Sequence, residues 1–335
     1  MKRILTLLFA AFTATTIMAQ MHGPMKFVGA SNMTVSTMSN DNPSDTILFA
    51  MNGMESGNIT LPAMKGMQTI PSFTISGATF TLGENHVVTF ADQTFSAKVT
   101  VDGAEKNITG KSLSGTYNMA DNSLSLTVVF QYGKMPFPMT YTVKGYYVKA
   151  VSNPITVTVG GQFTYNNDNV TYELRRYKDG GTDKLDVTVP SYSLTNTVMG
   201  DLTLGTYTVK GLVYDEAQGG YYRDYKNDGL KFHFTAVQNG KTTMDKDYEF
   251  AAGKANNILV KYEGNNVSSI VNTFQMGAMP FGIVSVFSAP ATSIEGVNAN
   301  ATAPADGRTY NLAGQRVDNN YKGIVIVNGK KYLRK

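Results

Sequence analysis

The sequence predicts an all-β protein: two tandem antiparallel up-and-down β-barrels followed by a short C-terminal β-hairpin tail. Three observations carry that expectation. Thr, Val, Tyr and Phe recur along all 335 residues, with 19 Tyr and 17 Phe, and β-branched and aromatic side chains favour strands. Short runs alternate apolar and polar residues between Gly, Asn and Asp turn signals, the period-two signature of a half-buried strand. Finally, Phe130-Gln131-Tyr132-Gly133-Lys134-Met135-Pro136-Phe137 returns as Phe274-Gln275-Met276-Gly277-Ala278-Met279-Pro280-Phe281, identical at six of eight positions. A phrase repeated at domain spacing marks two copies of one folding unit.

The elements follow in chain order. Lys2 and Arg3 precede an apolar stretch from Ile4 to Ile17, and Ile17-Met18-Ala19 supplies a small residue before Gln20. This is the pattern of a cleaved signal peptide over residues 1–19. It is shorter than the roughly 20 apolar residues a membrane helix needs, and no later segment is long enough to span as a helix. The expected location is outside the cytoplasm, at the cell surface or in the medium, with the periplasm as the alternative.

The first copy covers residues 21–150 and the second 151–288. Alternation marks strands at Asn85 to Phe90, Thr94 to Val101, Ser123 to Phe130 and Thr140 to Val148. In the second copy it marks Pro154 to Val159, Val170 to Leu174, Lys184 to Val189, Tyr207 to Val213, Leu230 to Phe234 and Ile258 to Tyr262. Asp102-Gly103 and Asn239-Gly240 are two-residue hairpin turns, since both positions accept positive φ. Phe73-Thr74-Ile75-Ser76-Gly77 pairs with Tyr207-Thr208-Val209-Lys210-Gly211 at a shorter offset than the first phrase, which places an insertion near 216–229. About eight strands fit each copy, and a meander of that size hides its edges by closing on itself.

Residues 289–306, rich in Ala, Asn and Pro, read as a linker. In 307–335, Asn328-Gly329 separates Ile324–Val327 from Lys330–Leu333, and Ala313-Gly314 separates two shorter strands. The phrase Tyr310-Asn311-Leu312-Ala313-Gly314-Gln315-Arg316-Val317, with Gly323 and Asn328-Gly329-Lys330-Lys331, resembles the type IX secretion (type A) sorting module of Bacteroidetes secreted proteins. That resemblance implies an export machinery as the partner of the tail; the alternative is a hairpin that completes the fold.

Gly57-Asn58-Ile59-Thr60-Leu61-Pro62 and Gly200-Asp201-Leu202-Thr203-Leu204, each followed by a strand, resemble the calycin-like, lipocalin-related β-barrel family of Bacteroidetes secreted proteins. The Met135-Pro136-Phe137 and Met279-Pro280-Phe281 approaches fit the same pattern. The resemblance implies barrels with an apolar interior. The chain lacks the Trp of true lipocalins.

Cysteine is absent and only His22, His86 and His233 occur, which removes disulfides, thiol catalysis, Cys-ligated metals and multi-His centres. The net charge of +4 without a basic block offers nothing for nucleic acid. Neither His86 nor His233 has a nucleophile at a meaningful spacing, so no enzyme, cofactor or metal is expected. Met51/Met54, Met64/Met67 and Met276/Met279 show Met-x-x-Met spacing; an extended strand turns such sulfurs to opposite faces, favouring a core or cavity lining over Cu(I). The leading expectation is a small apolar ligand within a barrel, lined by Phe73, Phe90, Phe130, Met135, Phe137, Phe274, Met279 and Phe281. The alternative is an adhesion module with filled barrels that contacts glycan or a surface protein through loops such as 216–229. There Tyr221, Tyr222 and Tyr225 either meet the partner or cap the barrel mouth.

Overall fold

The computed structural model describes residues 24–65, 69–83, 86–277, 279–288, 309–311, 316–317, 322–327 and 330–334. The expected signal peptide and linker lie outside these. Every regular element described is a strand, and the two copies form two rings.

The first ring contains β1 (Met25–Val35), β2 (Met38–Met51), β3 (Ser56–Leu61), β4 (Met64–Lys65), β5 (Thr69–Ile70), β6 (Phe73–Thr79), β7 (Thr81–Leu82), β8 (Val87–Val101), β9 (Ala104–Asn118), β10 (Ser123–Tyr132) and β11 (Met139–Val159). Antiparallel ladders join β1 to β2, β2 to β3, β3 to β6, β8 to β9, β9 to β10, β10 to β11 and β11 back to β1. The remaining seam lies between β6–β7 and β8. It is closed by Thr81↔Thr89 and Leu82↔Val88 and by a side chain. The Gln93 amide accepts from Thr79 N at 2.8 Å and donates to Thr79 O at 2.8 Å, standing in for a missing ladder rung. Asp102 and Gly103 both take positive φ, 50° and 76°, as the hairpin between β8 and β9 requires.

The second ring contains β12 (Phe163–Asp179), β13 (Thr182–Val189), β14 (Tyr192–Thr197), β15 (Gly200–Leu204), β16 (Tyr207–Asp215), β17 (Gly220–Asp224), β18 (Lys231–Gln238), β19 (Lys241–Glu249), β20 (Asn257–Glu263), β21 (Asn266–Phe274) and β22 (Ile283–Ser288). Pairs such as β13/β14 and β15/β16 are interrupted by only two residues. One end carries β13-β16-β17-β20 and the other β14-β15-β18-β19. The ring closes through β11, whose second half pairs β12 on one side and β22 on the other. Asn167 donates to Ser193 O at 2.7 Å and accepts from Ser193 N at 2.8 Å, the same amide device as Gln93.

The two rings therefore share a strand. β11 pairs β1 from Met139 to Val148 and β22 from Ile155 to Val159, so the boundary expected between 150 and 151 falls inside one continuous element. Pro154 lies where the register against β12 shifts, between Asn153 and Ile155; proline lacks the N–H a regular ladder uses and is tolerated at a bulge. Arg175 fastens the join. It donates to Val28 O of the first ring at 3.1 Å, and its Nη2 lies 2.5 Å from the buried Asp186 carboxylate. Asp186 also accepts from Gly211 N at 2.8 Å. Asn58 accepts from Gly77 N at the equivalent bulge of the first ring, and both glycines hold the left-handed φ that explains their place in the repeat, 68° and 69°.

The tail is a separate compact unit. Its described strands β23 (Thr309–Asn311), β24 (Arg316–Val317), β25 (Gly323–Val327) and β26 (Lys330–Arg334) form one sheet in the order β24-β23-β25-β26. The expected hairpin pairing of 324–327 with 330–333 is present, while its Asn328-Gly329 turn lies outside the described residues.

Candidate functional site

The first place to look for a site is inside each ring. Phe73, Phe90, Phe130 and Phe274 are buried. In the first ring they meet side chains from the far wall. Phe73 of β6 packs edge-on to Phe130 of β10 at 5.4 Å, Phe49 of β2 to Phe90 of β8 at 5.3 Å, and Phe27 of β1 to Tyr117 of β9 at 4.9 Å. Each of these pairs joins strands three places apart around an eight-strand ring, so the rings of the side chains bridge the interior. Edge-to-face pairs of this kind contribute about 0.5–1.5 kcal/mol beyond area burial.

The second ring is bridged by polar as well as aromatic groups. Asn272, fully buried, donates to Tyr207 Oη across the ring at 2.5 Å and accepts from Tyr225 Oη at 2.8 Å. Around them Phe232, Phe250 and Phe274 pack with ring centroids within 6.4 Å of one another, Phe274 edge-on to the other two. Burial raises the phenol pKa of Tyr192, Tyr207 and Tyr225 far above the ordinary value, which keeps these hydroxyls neutral. Tyr172 Oη, Tyr192 Oη and Ser285 Oγ are buried without a well-aligned hydrogen bond among the described residues, although Ser285 lies close enough to both phenols to favour their ionised forms.

The repeated phrase has a structural explanation. In both copies the Phe enters the core and the Gln caps the turn that follows: Gln131 Nε2 donates to Met135 O at 2.6 Å and Gln275 Nε2 to Met279 O at 2.5 Å. Met135 and Met279 pack as half-buried covers against their respective cores. Phe137 and Phe281 correct the expectation of an interior lining: they are 54% and 50% exposed. The turn leaves the strand before Pro136 and Pro280, so strand parity no longer governs which way the next side chain points. The Met-x-x-Met pairs divide similarly; Met276 is buried and Met279 half-buried, whereas Met54 is exposed. Met67 lies outside the described residues.

The insertion 216–229 is also corrected. It is a turn, then β17, then a short loop, and its tyrosines separate. Tyr225 is 1% exposed and belongs to the core, and Tyr222 is half-buried on β17. Tyr221 is buried too, but it forms part of the wall of a cleft.

That cleft lies between the two rings and has a volume of about 960 Å³. One side is the β9–β10 turn of the first ring, with Met119, Ala120 and Asn122. The floor is the shared strand and its neighbour, with Tyr147, Lys149 and Arg176. The far side carries Tyr214, Tyr221, Tyr262 and the turn Gly264-Asn265-Asn266. Tyr221 is edge-on to both Tyr214 and Tyr262, at 5.8 and 5.9 Å, and the Arg176 guanidinium covers the Tyr221 ring at 5.5 Å. Lys149 Nζ donates to Asn265 O at 2.9 Å. Burial holds its ammonium below the usual lysine value and raises the Tyr147 phenol, and it pushes Tyr262 up to about 12. Among the described residues lining the cleft there is no carboxylate. Apart from Tyr221, nothing in the sequence singled these residues out as a site, because five separated segments bring them together.

A second recess of about 390 Å³ opens beside Ser31, Asn42, Asp45 and Tyr141. Asp45 is buried and already saturated: it accepts from Ser31 Oγ, from Tyr141 Oη at 2.9 Å and from Asn42 Nδ2 at 2.6 Å. Both Asp45 oxygens are thus engaged, and the other carboxylate lining the recess, Asp41, accepts from Asn32 Nδ2 at 2.7 Å. His233 is exposed between Asp245 and Asp247 on β19, 3.0 Å from each. No group of three metal-ligating His, Cys, Asp or Glu side chains occurs among the described residues, and no helix there is long and apolar enough to cross a membrane.

No curated protein sequence matches the chain. Among solved structures, a "putative outer membrane protein" of Bacteroides fragilis aligns at 15% identity with a TM-score of 0.25, over 80% of this chain and 96% of that one. The model of the calycin-like β-barrel domain matches twice, at residues 25–146 and 153–290. With most of its length matched and eight-strand closure in the structure, the chain belongs to the calycin-like β-barrel domain family.

Proposed function

We propose that this protein is an exported, non-enzymatic interaction module that holds its partner in the cleft between the rings. The observation that carries this reading is the contrast between the two spaces. Side chains from opposite walls touch within the rings, whereas the cleft stays open at about 960 Å³ with an aromatic and cationic lining. Aromatic side chains around a concave polar site are the usual composition of a binding surface. A small apolar guest inside a barrel, the competing reading, would have to displace buried aromatic side chains, each worth about 1.5–3 kcal/mol of burial. The absence of Cys and the scarcity of His in the sequence support a non-catalytic role. Export rests on the composition of residues 1–19 and the sorting-module resemblance of 307–335.

Fluorescently labelled residues 20–335 on a glycan array, with a fatty-acid displacement assay in parallel, test the reading. Ala120→Trp, which fills the exposed edge of the cleft, is expected to abolish array binding, while Phe137→Ser leaves it intact. Tight fatty-acid binding, or array binding that survives Ala120→Trp, would overturn the proposal. For the tail, deletion of 307–335 is expected to retain the protein in the periplasm; unchanged surface display would remove the sorting role.

A further inference from the structure

Resting on the cleft reading above, we infer that the partner held there is an acidic saccharide, with its carboxylate or sulfate on Lys149 and a sugar ring against the tyrosines. Charge is the first ground. Two cations, Lys149 and Arg176, line the cleft with no carboxylate lining it among the described residues. They are not equivalent. Arg176 is partly neutralised by Asp183, 3.4 Å away outside the lining, and rests on the Tyr221 face. Lys149 enters no ion pair among the described residues, and its ammonium donates to a backbone carbonyl, Asn265 O. An ammonium partly withdrawn from water and lacking an anion is stabilised by whatever anion reaches it, and such charge-assisted contacts are the strong ones.

The second ground is shape and surface chemistry. Tyr214 is 56% exposed at the rim, and Tyr147 and Tyr262 line the interior with it. A tyrosine offers a flat apolar face for the C–H side of a pyranose and a hydroxyl that stays wet. Asn122, Asn265 and Asn266 add amides that both donate and accept, the pairing that vicinal hydroxyls need. An acidic peptide would use the cations and leave this amide and aromatic set idle; a neutral glycan would leave Lys149 uncompensated.

Isothermal titration of residues 20–335 with a galacturonic acid oligomer, its methyl ester and an oligoglutamate of equal charge tests the inference. The acid is expected to bind, and the ester and Lys149→Gln each to lose about tenfold or more, as removal of one charge-assisted contact gives. Lys149→Arg restores most of the affinity for the acid. Tyr214→Ala weakens acid and ester alike. Thermal melting of each variant reports that the fold is retained, and a partial loss of stability is read against Lys149→Arg. Equal binding of acid and ester, or indifference to Lys149→Gln, overturns the acidic specificity while leaving the cleft reading intact. Oligoglutamate binding as tight as the saccharide overturns the saccharide assignment. If none of the probes binds while the array hits remain sensitive to Ala120→Trp, the acidic-saccharide inference fails and the cleft proposal stands.

Discussion

Phe130→Ala is the substitution that most directly probes whether the first ring is filled. Phe130 is fully buried on β10 and edge-on to Phe73 from across the ring. Truncation removes the transfer free energy of the ring and leaves a cavity between two walls of paired strands that are poorly able to collapse. Phe→Ala changes at such sites cost about 3–5 kcal/mol, and loss of the edge-on contact accounts for roughly 0.5–1.5 kcal/mol within that cost. The assay is urea unfolding of residues 20–335 followed by far-UV circular dichroism and tyrosine fluorescence, since the chain has no Trp. Benzene, added at about ten times its dissociation constant, should restore about 1.4 kcal/mol to Phe130→Ala and nothing to the wild type. Phe130→Leu, a smaller loss, guards against failure to fold. A cost below about 1 kcal/mol, or benzene stabilising the wild type as much as the variant, would refute the reasoning, because both outcomes require a void already present.

Further outcomes follow from individual contacts. Asn272→Ala removes the amide that both the buried Tyr207 and Tyr225 hydroxyls use, leaving them only each other, and is expected to cost about 1–3 kcal/mol. Tyr192→Phe removes a buried hydroxyl whose one neighbouring partner among the described residues, Ser285, forms no well-aligned hydrogen bond with it, and should change stability by less than about 1 kcal/mol in a urea denaturation assay. Asp186→Ala strips partners from both Arg175 and Gly211 N; leaving a largely buried cation unpaired is expected to cost about 3–5 kcal/mol by thermal or urea melting. The His233 imidazole, held by hydrogen bonding to Asp247 and by Asp245, should titrate by NMR above the ordinary histidine value. The Asp247 contact is then fully favourable below the unfolded-state pKa and is lost as pH rises through the folded one. Asp247→Asn should lower the midpoint.

Much of the architecture was legible because β structure writes itself locally. Alternation located β8, β10, β11, β12, β13, β16, β18 and β20 but not β1, β2, β9 or β21, and Asp102-Gly103 and Asn239-Gly240 announced their hairpins through the positive φ they permit. The repeat was legible too, yet its role was not: parity alone could not say which face of the strand Phe130 takes, and the capping bond from Gln131 to Met135 O and the outward turn of Phe137 depend on a bend that alternation does not encode. The shared strand was hidden for a related reason. The runs Thr140 to Val148 and Pro154 to Val159 read as two strands, and nothing in either specifies that the first pairs β1 and the second β22. The cleft was the least visible feature. Lys149, Arg176 and Tyr262 are unremarkable in their own segments, and only the joining of two rings on one strand brings them to one wall. Tyr225 shows the converse: a tyrosine in a polar, Gly-rich stretch whose ring turns inward to meet Asn272.

The most direct test of where this protein works is methyl NMR of residues 20–335 during titration with the galacturonic acid oligomer. The methyls of Met119, Ala120 and Ala150, which line the cleft, should shift in proportion to occupancy. Those of Leu126, Val128 and Ile258, inside the rings, should stay where they are. Shifts centred on the interior methyls, with the cleft silent, would contradict the assignment of the cleft as the binding surface.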